Sequence, residues 1–273
     1  MNALLNIGDG CIASASSDTQ IKIWCIKKGE CIKTLKGHKD GVNSLLNLGN
    51  GKIASGSWKE IKIWDIYKEE CEKTLIGHID KVNALAYLGE GYIASGSYQI
   101  IKIWDIESGN CVKSLEGHTH YVNTLLNIGG GYLASGSNDS KIKIWSWQAG
   151  ECVKTLYEHK RGVLALVNIG EGYMVSGSFD LSIKVWKMKV AGAKSFRAHD
   201  VEIMSLISLD KDRIASSSGD KTIKIWNIKK CKCVKVLEGH ENRVSTLINL
   251  GDGLIASGGE DKTIRIWDIR KRW

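Results

Sequence analysis

A short phrase of the form Ile-Lys-Ile-Trp recurs along the whole chain at a nearly constant interval. Seven of the ten tryptophans belong to it, and each lies 40 or 41 residues from the next: Trp24, Trp64, Trp104, Trp145, Trp186, Trp226 and Trp267. A Gly-His pair or a variant of it follows the same period: His38, His78, His118, His159, His199 and His240. A repeat of this length indicates an array of equivalent structural units that stack against their neighbours.

Each repeat consists of short apolar runs separated by turn residues. The third repeat, for example, reads VNALAYL, GEG, YIASGS, IKIW and CVKSL in chain order. Glycine and aspartate in the connections tolerate the positive φ of tight turns. Because no stretch has the length and period of an amphipathic helix, the pattern predicts an all-β protein with four strands, a to d, in each repeat.

The marker tryptophan is followed by aspartate in three repeats, at Trp64-Asp65, Trp104-Asp105 and Trp267-Asp268. With the Gly-His mark and the period near 40, this dipeptide makes essentially the whole chain resemble the WD-repeat family. The resemblance implies one domain over residues 1–273, a seven-bladed β-propeller with four antiparallel strands in each blade.

The last repeat is short of one strand. Strand d opens about seven residues after the marker tryptophan, at Cys31, Cys71, Cys111, Cys152 and Cys233, whereas Trp273 ends the sequence six residues after Trp267. We therefore expect a three-stranded last blade with an edge that is open to pairing. In the family one blade is usually completed by strands from both chain ends, so a longer natural chain and an open seam both remain as explanations.

Histidine, serine and aspartate recur together in a way that imitates a hydrolase triad. The family resemblance instead implies structural tetrads, in which each trio is hydrogen bonded to the marker tryptophan, and four identical active sites in one chain would be unusual. The complete sets are His118, Ser135, Asp139, Trp145; His159, Ser176, Asp180, Trp186; His199, Ser216, Asp220, Trp226; and His240, Ser257, Asp261, Trp267. We expect no catalytic, cofactor or metal site.

Eight cysteines could suggest disulfides, but five of them occupy the same repeat position at the start of strand d. Cys231 and Cys233 form a lone C-x-C without a second ligand pair for zinc. A reduced intracellular protein, cytoplasmic or nuclear, is the expectation. The sequence has neither a secretion signal nor an apolar run of roughly 18 residues, so no membrane association is expected.

The formal net charge of +8 is spread around the repeats. Thirteen of the 38 basic residues occupy two repeat positions, in strand c and in strand d. The strand d lysines are expected to protect an outer edge against strand addition. Diffuse charge raises nonspecific affinity for polyanions without forming a site, so a nucleic-acid-associated subunit is the alternative and not the preferred function.

Repeats two and three, SGSWKEIKIW and SGSYQIIKIW, are one residue shorter than SGSNDSKIKIW of the fourth. Both lack the tetrad aspartate and carry an aromatic residue, Trp58 or Tyr98, in the b–c loop; the fifth repeat has Phe179 there. In the family this loop opens on the face where partners usually dock. The aromatic residues either contact a partner or fill the space left by the lost aspartate.

The loop after each Gly-His contributes to the same face in the family. Its candidate residues lie three and five positions beyond the histidine: Lys81, Tyr121, Arg243, Asn43, Asn83 and Asn123. Aromatic and arginine side chains are favoured at binding hot spots. We predict a noncatalytic interaction scaffold or adaptor that binds a protein or peptide, as a monomeric propeller within a complex. The propeller domain of a longer regulatory protein is a further alternative.

Overall fold

The computed structural model describes residues 1–188 and 192–270. These residues form 26 β-strands and no helix. Strands that follow one another along the chain pair antiparallel, in seven meanders that correspond to the seven repeats and are called blades 1 to 7 below. The all-β fold with four-stranded blades is thereby confirmed, and within the described residues the last blade has three strands.

The chain divides into two compact units, one of Asn2–Leu156 and one that begins at Tyr157 and also includes Met1. The single domain over residues 1–273 stays a prediction. The strands of the first unit are β1 (Ala3–Gly8), β2 (Cys11–Ala15), β3 (Ile21–Cys25), β4 (Glu30–Leu35), β5 (Ser44–Gly49), β6 (Lys52–Gly56), β7 (Trp58–Asp65), β8 (Glu70–Lys81), β9 (Ala84–Gly89), β10 (Tyr92–Gly96), β11 (Tyr98–Asp105), β12 (Cys111–Gly129), β13 (Tyr132–Ser137), β14 (Ile142–Ser146) and β15 (Glu151–Leu156).

The second unit contains blades 5 to 7. Its strands are β16 (Val163–Gly170), β17 (Tyr173–Ser178), β18 (Ser182–Lys187), β19 (Ala193–Arg197), β20 (Ile203–Ser208), β21 (Arg213–Ser218), β22 (Ile223–Asn227), β23 (Lys232–Leu237), β24 (Val244–Gly251), β25 (Leu254–Gly259) and β26 (Ile264–Asp268). No helix in the described ranges is long and apolar enough to cross a membrane.

The core of each blade is built from strands b and c. In blade 2, Ile61 and Ile63 of β7 are buried while Lys62 between them is partly exposed, because successive side chains of a strand point to opposite faces. Trp64 is also buried and packs in a cluster with apolar residues of blade 1. The repeated Ile-Lys-Ile-Trp phrase thus supplies the apolar contacts between neighbouring blades of the unit.

Four strands, β7, β8, β11 and β12, are longer than the repeat predicts. In the two shortened repeats, β7 and β11 begin at the aromatic residue of the b–c loop and pair with the chain beyond the histidine, Trp58 opposite Lys81 and Tyr98 opposite Tyr121. As a result β8 continues past His78, and β12 runs through His118 from blade 3 into blade 4. The missing residue converts the loop into a tight hairpin, closed in blade 2 by a 3.0 Å bond from the Ser57 N–H to the Glu60 carbonyl.

The strand d lysines have a role that the sequence interpretation missed. Lys33 Nζ donates to the Ile66 carbonyl oxygen of the next blade at 2.9 Å, and Lys73 Nζ donates in the same way to Ile106 at 2.8 Å. Equivalent bonds to the following blade are made by Lys113, Lys194 and Lys235. These five edge lysines therefore link neighbouring blades.

Candidate partner-binding surface

The predicted tetrads of blades 4 to 7 are hydrogen-bonded networks. In blade 4, His118 Nδ1 lies 2.7 Å from Asp139 Oδ2, and His118 Nε2 lies 2.7 Å from Ser135 Oγ. Trp145 Nε1 donates to the same Oγ at 2.8 Å. Since an ionised carboxylate only accepts, Nδ1 carries the proton of the first bond. The same contacts occur in blades 5, 6 and 7 at His159, His199 and His240.

The carboxylates of these tetrads are strongly stabilised in their ionised form. Burial acts to raise the pKa of Asp139, but hydrogen bonds from His118 and from the backbone N–H groups of Thr119 and Lys141 outweigh it and lower the pKa to about 2. The pKa values of the corresponding carboxyls of blades 5 to 7 are lowered for the same reason.

The tetrad serines are not placed to act as nucleophiles. Ser135, Ser176, Ser216 and Ser257 are fully buried, and each Oγ is held between a histidine and a tryptophan. In the described part of the chain, no group of three or more His, Cys, Asp or Glu side chains could hold a metal ion. The eight cysteines carry free thiols. The arrangement suits a structural role, since it satisfies buried polar groups.

Blade 2 has a complete tetrad, contrary to the expectation that both shortened repeats lost the acid. His38 Nδ1 lies 2.7 Å from Glu60 Oε1, His38 Nε2 lies 2.6 Å from Ser55 Oγ, and Trp64 Nε1 donates to Ser55 Oγ at 2.7 Å. Glu60 is the third residue of β7, just after the tight turn, and its extra methylene lets the carboxylate reach the histidine. The expectation that both shortened repeats lack the tetrad acid is therefore wrong for blade 2.

Blade 3 does lack the acid, because Ile100 occupies the position of Glu60. His78 Nε2 still lies 2.6 Å from Ser95 Oγ, but the buried His78 Nδ1 has no hydrogen-bond partner. Burial, and to a smaller extent the charge of Lys102, lower the pKa of His78 from 6.5 to about 4. Blade 3 thus contains a neutral histidine with one unsatisfied ring nitrogen.

Next to these two tetrads, five residues form what we call the blade 2–3 surface: Trp58, Ile76, Ile79, Tyr98 and Tyr121. Trp58 is 39% exposed, and the acid position of its blade is already filled by Glu60. The ammonium of Lys59 lies 5.5 Å from the centroid of the Trp58 ring. Trp58 therefore does not substitute for a missing carboxylate.

Tyr98 and Tyr121 belong to one aromatic cluster. Their ring centroids are 5.0 Å apart in an edge-on arrangement, and His120 lies 5.9 Å from Tyr98. The Tyr121 hydroxyl donates to Asp80 Oδ2 at 2.9 Å, and Asp80 precedes Lys81, the residue that pairs with Trp58. The bond from Tyr121 to Asp80 therefore joins this aromatic cluster to β8, the strand in which Lys81 pairs with Trp58.

The two isoleucines of this surface were not among the sequence candidates. Ile76 is 76% exposed and Ile79 is 72% exposed. Ile79 lines a cavity of about 450 Å³ together with Tyr98 and Ile100. The signal was present in the sequence, because Ile76-Gly-His-Ile79 has apolar residues where blades 2 and 4 have Lys36-Gly-His-Lys39 and Glu116-Gly-His-Thr119.

The remaining candidates lie in several settings. The backbone N–H groups of Asn43 and Asn83 donate to carbonyls of the b strands, which fixes their backbone, and the Asn123 side-chain amide donates to Asn138 Oδ1 at 2.7 Å. In the second unit, Phe179 is half-buried and Arg243 forms ion pairs with Glu202 and Glu260. Phe179 and Arg243 belong to the second unit, and their role in partner binding stays a prediction.

Comparison with known families agrees with the repeat pattern. The family described as WD domain, G-beta repeat matches residues 29–65, 69–105, 109–146, 150–187, 193–227 and 231–268, which together are most of the chain. The six matches end at or just after six of the seven marker tryptophans. Strands β1 to β3 of the first repeat lie before these matches, and β4 lies within the first of them. No curated protein matches the chain.

Proposed function

Since the chain belongs to the WD domain, G-beta repeat family, we propose that it is a noncatalytic interaction scaffold that binds a protein or peptide partner through the blade 2–3 surface. WD40 domains generally bind protein partners and are generally noncatalytic. The observation that carries the proposal is the exposure of Trp58, Ile76 and Ile79 on neighbouring segments of one unit.

Exposed apolar side chains that lie together mark interaction sites more often than scattered ones do. Tryptophan and tyrosine are the side chains that contribute most at such sites, because they bury a large area with few rotatable bonds. The tight hairpins of β7 and β11 restrict Trp58 and Tyr98 before binding, which lowers the entropy cost of association.

The chemistry of the surface suggests a partner segment with at least one apolar side chain. Such a side chain fits the cavity beside Ile79 and Tyr98, whose rim carries Lys102 and Glu116. We propose that the protein acts inside the cell, in the cytoplasm or the nucleus; free thiols such as its eight are typical of reducing compartments. We propose that it acts there as a monomeric propeller within a complex.

The proposal is tested with a photo-crosslinking residue introduced at position 79 or, as a control, at position 132. Tyr132 is exposed to a similar degree as Trp58 and lies in the same unit, but outside the surface. We expect a partner from cell extract to be crosslinked from position 79 and not from position 132. The additional change Trp58→Ala should abolish this product while leaving the melting temperature unchanged. Equal crosslinking from both positions, or a product that is insensitive to Trp58→Ala, refutes the proposal.

A further inference from the structure

A cavity of about 560 Å³ lies between blades 5 and 6, within the second unit. Its apolar walls include Tyr173 and Val185 of blade 5 and Ile228 of blade 6. These side chains belong to one core cluster or pack against it, so the walls are held in place by the fold. A cavity of this size with apolar walls and a few polar groups is typical of small-molecule sites.

The equivalent cavity between blades 3 and 4 is smaller, about 310 Å³. There Trp147 packs against Tyr92, with the ring centroids 5.7 Å apart. Between blades 5 and 6 the position of Trp147, two residues after the marker tryptophan, is taken by Ile228. Tyr173 takes the place of Tyr92 but lacks the tryptophan ring that packs there, so the space of that ring belongs to the cavity.

Two further wall positions carry smaller side chains between blades 5 and 6. Val185 replaces Ile103, each directly before the marker tryptophan, and Ala193 replaces Val112, each directly before the strand d lysine. Together with Ile228, three apolar side chains at one junction are smaller than their counterparts. The larger volume therefore follows from the sequence of this junction and is not a general feature of the repeat.

The same junction has gained positive charge. Lys187 follows its marker tryptophan where blade 3 has Asp105, and each lies opposite the tyrosine of its own blade, Tyr173 or Tyr92. The ammonium of Lys187 lies 5.7 Å from the centroid of the Tyr173 ring. Within residues 1–188 and 192–270, Lys187 forms no ion pair. An acid at this position has thus been replaced by an unpaired cation beside the aromatic wall.

The other charges of the lining are mostly basic as well. Lys229, in the place of Gln148, pairs with Asp212 at 2.7 Å, and Lys194 Nζ donates to the Lys229 carbonyl at 2.7 Å. Lys211 also lines the cavity and has no ion-pair partner in the described part of the chain. With Lys187, four lysines thus line the cavity against two acids, Glu171 and Asp212. The excess of cations favours an anionic occupant.

We propose that the cavity between blades 5 and 6 binds a small aromatic anion, with its ring against Tyr173 and Ile228 and its anionic group beside Lys187 and Lys211. The ring takes the space that the Trp147 side chain fills at the other junction, where an aromatic pair is favourable. The anionic group pairs with lysines that lack a carboxylate of their own. The site belongs to the second unit and does not depend on the blade 2–3 surface.

The test titrates the full chain with three probes of similar size and follows binding by isothermal titration calorimetry. The probes are 2-naphthoate, the neutral 2-naphthamide and cyclohexanecarboxylate, which has the charge without the aromatic ring. We expect 2-naphthoate to bind at one site with a dissociation constant below about 1 mM. The other two should bind at least tenfold more weakly. Titration with 2-naphthyl phosphate then shows whether carboxylate or phosphate is the preferred anionic group.

Variants that copy the junction of blades 3 and 4 locate the site. Ile228→Trp restores the indole and should abolish binding of 2-naphthoate, and the smaller change Ala193→Val should weaken it at least threefold. Lys187→Asp should remove the preference for 2-naphthoate over 2-naphthamide. Each variant is compared with wild type at an equal melting temperature, and Ala193→Val and Lys187→Asp keep the test valid if Ile228→Trp does not fold.

Two control variants should leave the binding of 2-naphthoate as it is in wild type. Trp147→Ile opens the junction of blades 3 and 4 without adding a cation, so no second site should appear. Trp58→Ala alters only the blade 2–3 surface, so failure of this proposal is distinct from failure of the proposed function.

Three results overturn the inference. One is that 2-naphthoate shows no saturable binding up to about 10 mM. Another is that 2-naphthamide or cyclohexanecarboxylate binds as tightly as 2-naphthoate, because the site then does not select an aromatic anion. The third is that folded Ala193→Val and Lys187→Asp chains bind all the probes as wild type does, because the ligand then lies elsewhere.

Discussion

Replacing Ile100 by glutamate should complete the tetrad of blade 3. Blade 2 serves as the internal template, because Glu60 occupies the equivalent place and its Oε1 lies 2.7 Å from His38 Nδ1. The two hairpins have the same backbone bonds, Ser57 N–H to Glu60 and Ser97 N–H to Ile100, both at 3.0 Å. Lys62 and Lys102 follow at equivalent positions. The change Ile100→Glu therefore places a carboxylate in blade 3 at the position where blade 2 already holds one.

The size of the effect follows from the state of His78. An unsatisfied buried polar atom costs about 1–3 kcal/mol, and the half-buried Ile100 loses some apolar contact when it is replaced. At pH 7.5 we expect a net gain in the free energy of unfolding of about 1 kcal/mol. For a chain of this length that corresponds to a rise in Tm of about 2 °C.

The pH dependence is the sharper readout. The pKa of His78 is lowered from 6.5 to about 4 in the folded protein. The unfolded chain therefore binds more protons than the folded one between these values, and stability falls as the pH drops through this range. The linkage relation gives a loss of about 2 kcal/mol by pH 5 from this residue. A carboxylate at position 100 favours the protonated ring, so the variant should lose less stability.

The assay compares urea unfolding at pH 7.5 and pH 5 for four chains: wild type, Ile100→Glu, Glu60→Ile and Glu60→Gln. Glu60→Ile should reproduce in blade 2 the unsatisfied nitrogen of blade 3 and lower stability by about 1–3 kcal/mol. Glu60→Gln keeps an acceptor oxygen and should lie between wild type and Glu60→Ile. If Ile100→Glu and wild type have the same stability difference between the two pH values, the reasoning about His78 Nδ1 is wrong.

Three further predictions concern the repeated contacts. Asp139→Asn should lower the free energy of unfolding by about 1–3 kcal/mol at pH 7, as measured by urea unfolding. Because the pKa of Asp139 is about 2 in the folded protein, the stabilisation by this carboxylate in the wild type should disappear as the pH falls from about 4 to 2. Gly77→Ala should lower Tm by several degrees in a thermal melt, because Gly77 has φ +151 and an added Cβ lies 3.2 Å from the Trp104 ring. The control Gly29→Asn should change Tm little, because Gly29 has φ +70 and no atom lies near its added Cβ. Lys73→Met keeps the aliphatic stem but loses the bond to the Ile106 carbonyl, so calorimetry should show that the free energy of unfolding falls by about 1 kcal/mol. The control Lys36→Met should not show this decrease.

The blades could be predicted from the sequence because their information is local and repeated. Alternating Ile and Lys in strand c and glycine in the turns specify each strand without reference to distant residues. The acid of blade 2 was missed because the expected aspartate lies four residues after the tetrad serine, as Asp139 follows Ser135, whereas Glu60 lies five residues after Ser55. Only the geometry shows that a longer side chain from a later position reaches the same nitrogen.

The blade 2–3 surface was predicted in part. Trp58, Lys81, Tyr98 and Tyr121 are brought together, but the continuation of β8 and β12 through the histidine loops was not foreseen. That continuation depends on cross-strand pairing between residues more than 20 positions apart, such as Trp58 with Lys81. The side-chain pattern of one strand does not reveal it.

In the sequence, loss of the tetrad aspartate and gain of an aromatic residue occur together in the two shortened repeats, but the structure shows that one does not explain the other. Blade 2 combines a complete tetrad with an exposed Trp58, so the aromatic residue is not explained by loss of the acid. Blade 3 combines an unsatisfied His78 with the exposed Ile79 beside it and a cavity lined by Ile79 and Ile100. Glutamate at position 100 would satisfy His78 but would also place a charge in that cavity lining. The proposed apolar contact at Ile79 and Ile100 and the satisfaction of His78 therefore make opposite demands on position 100.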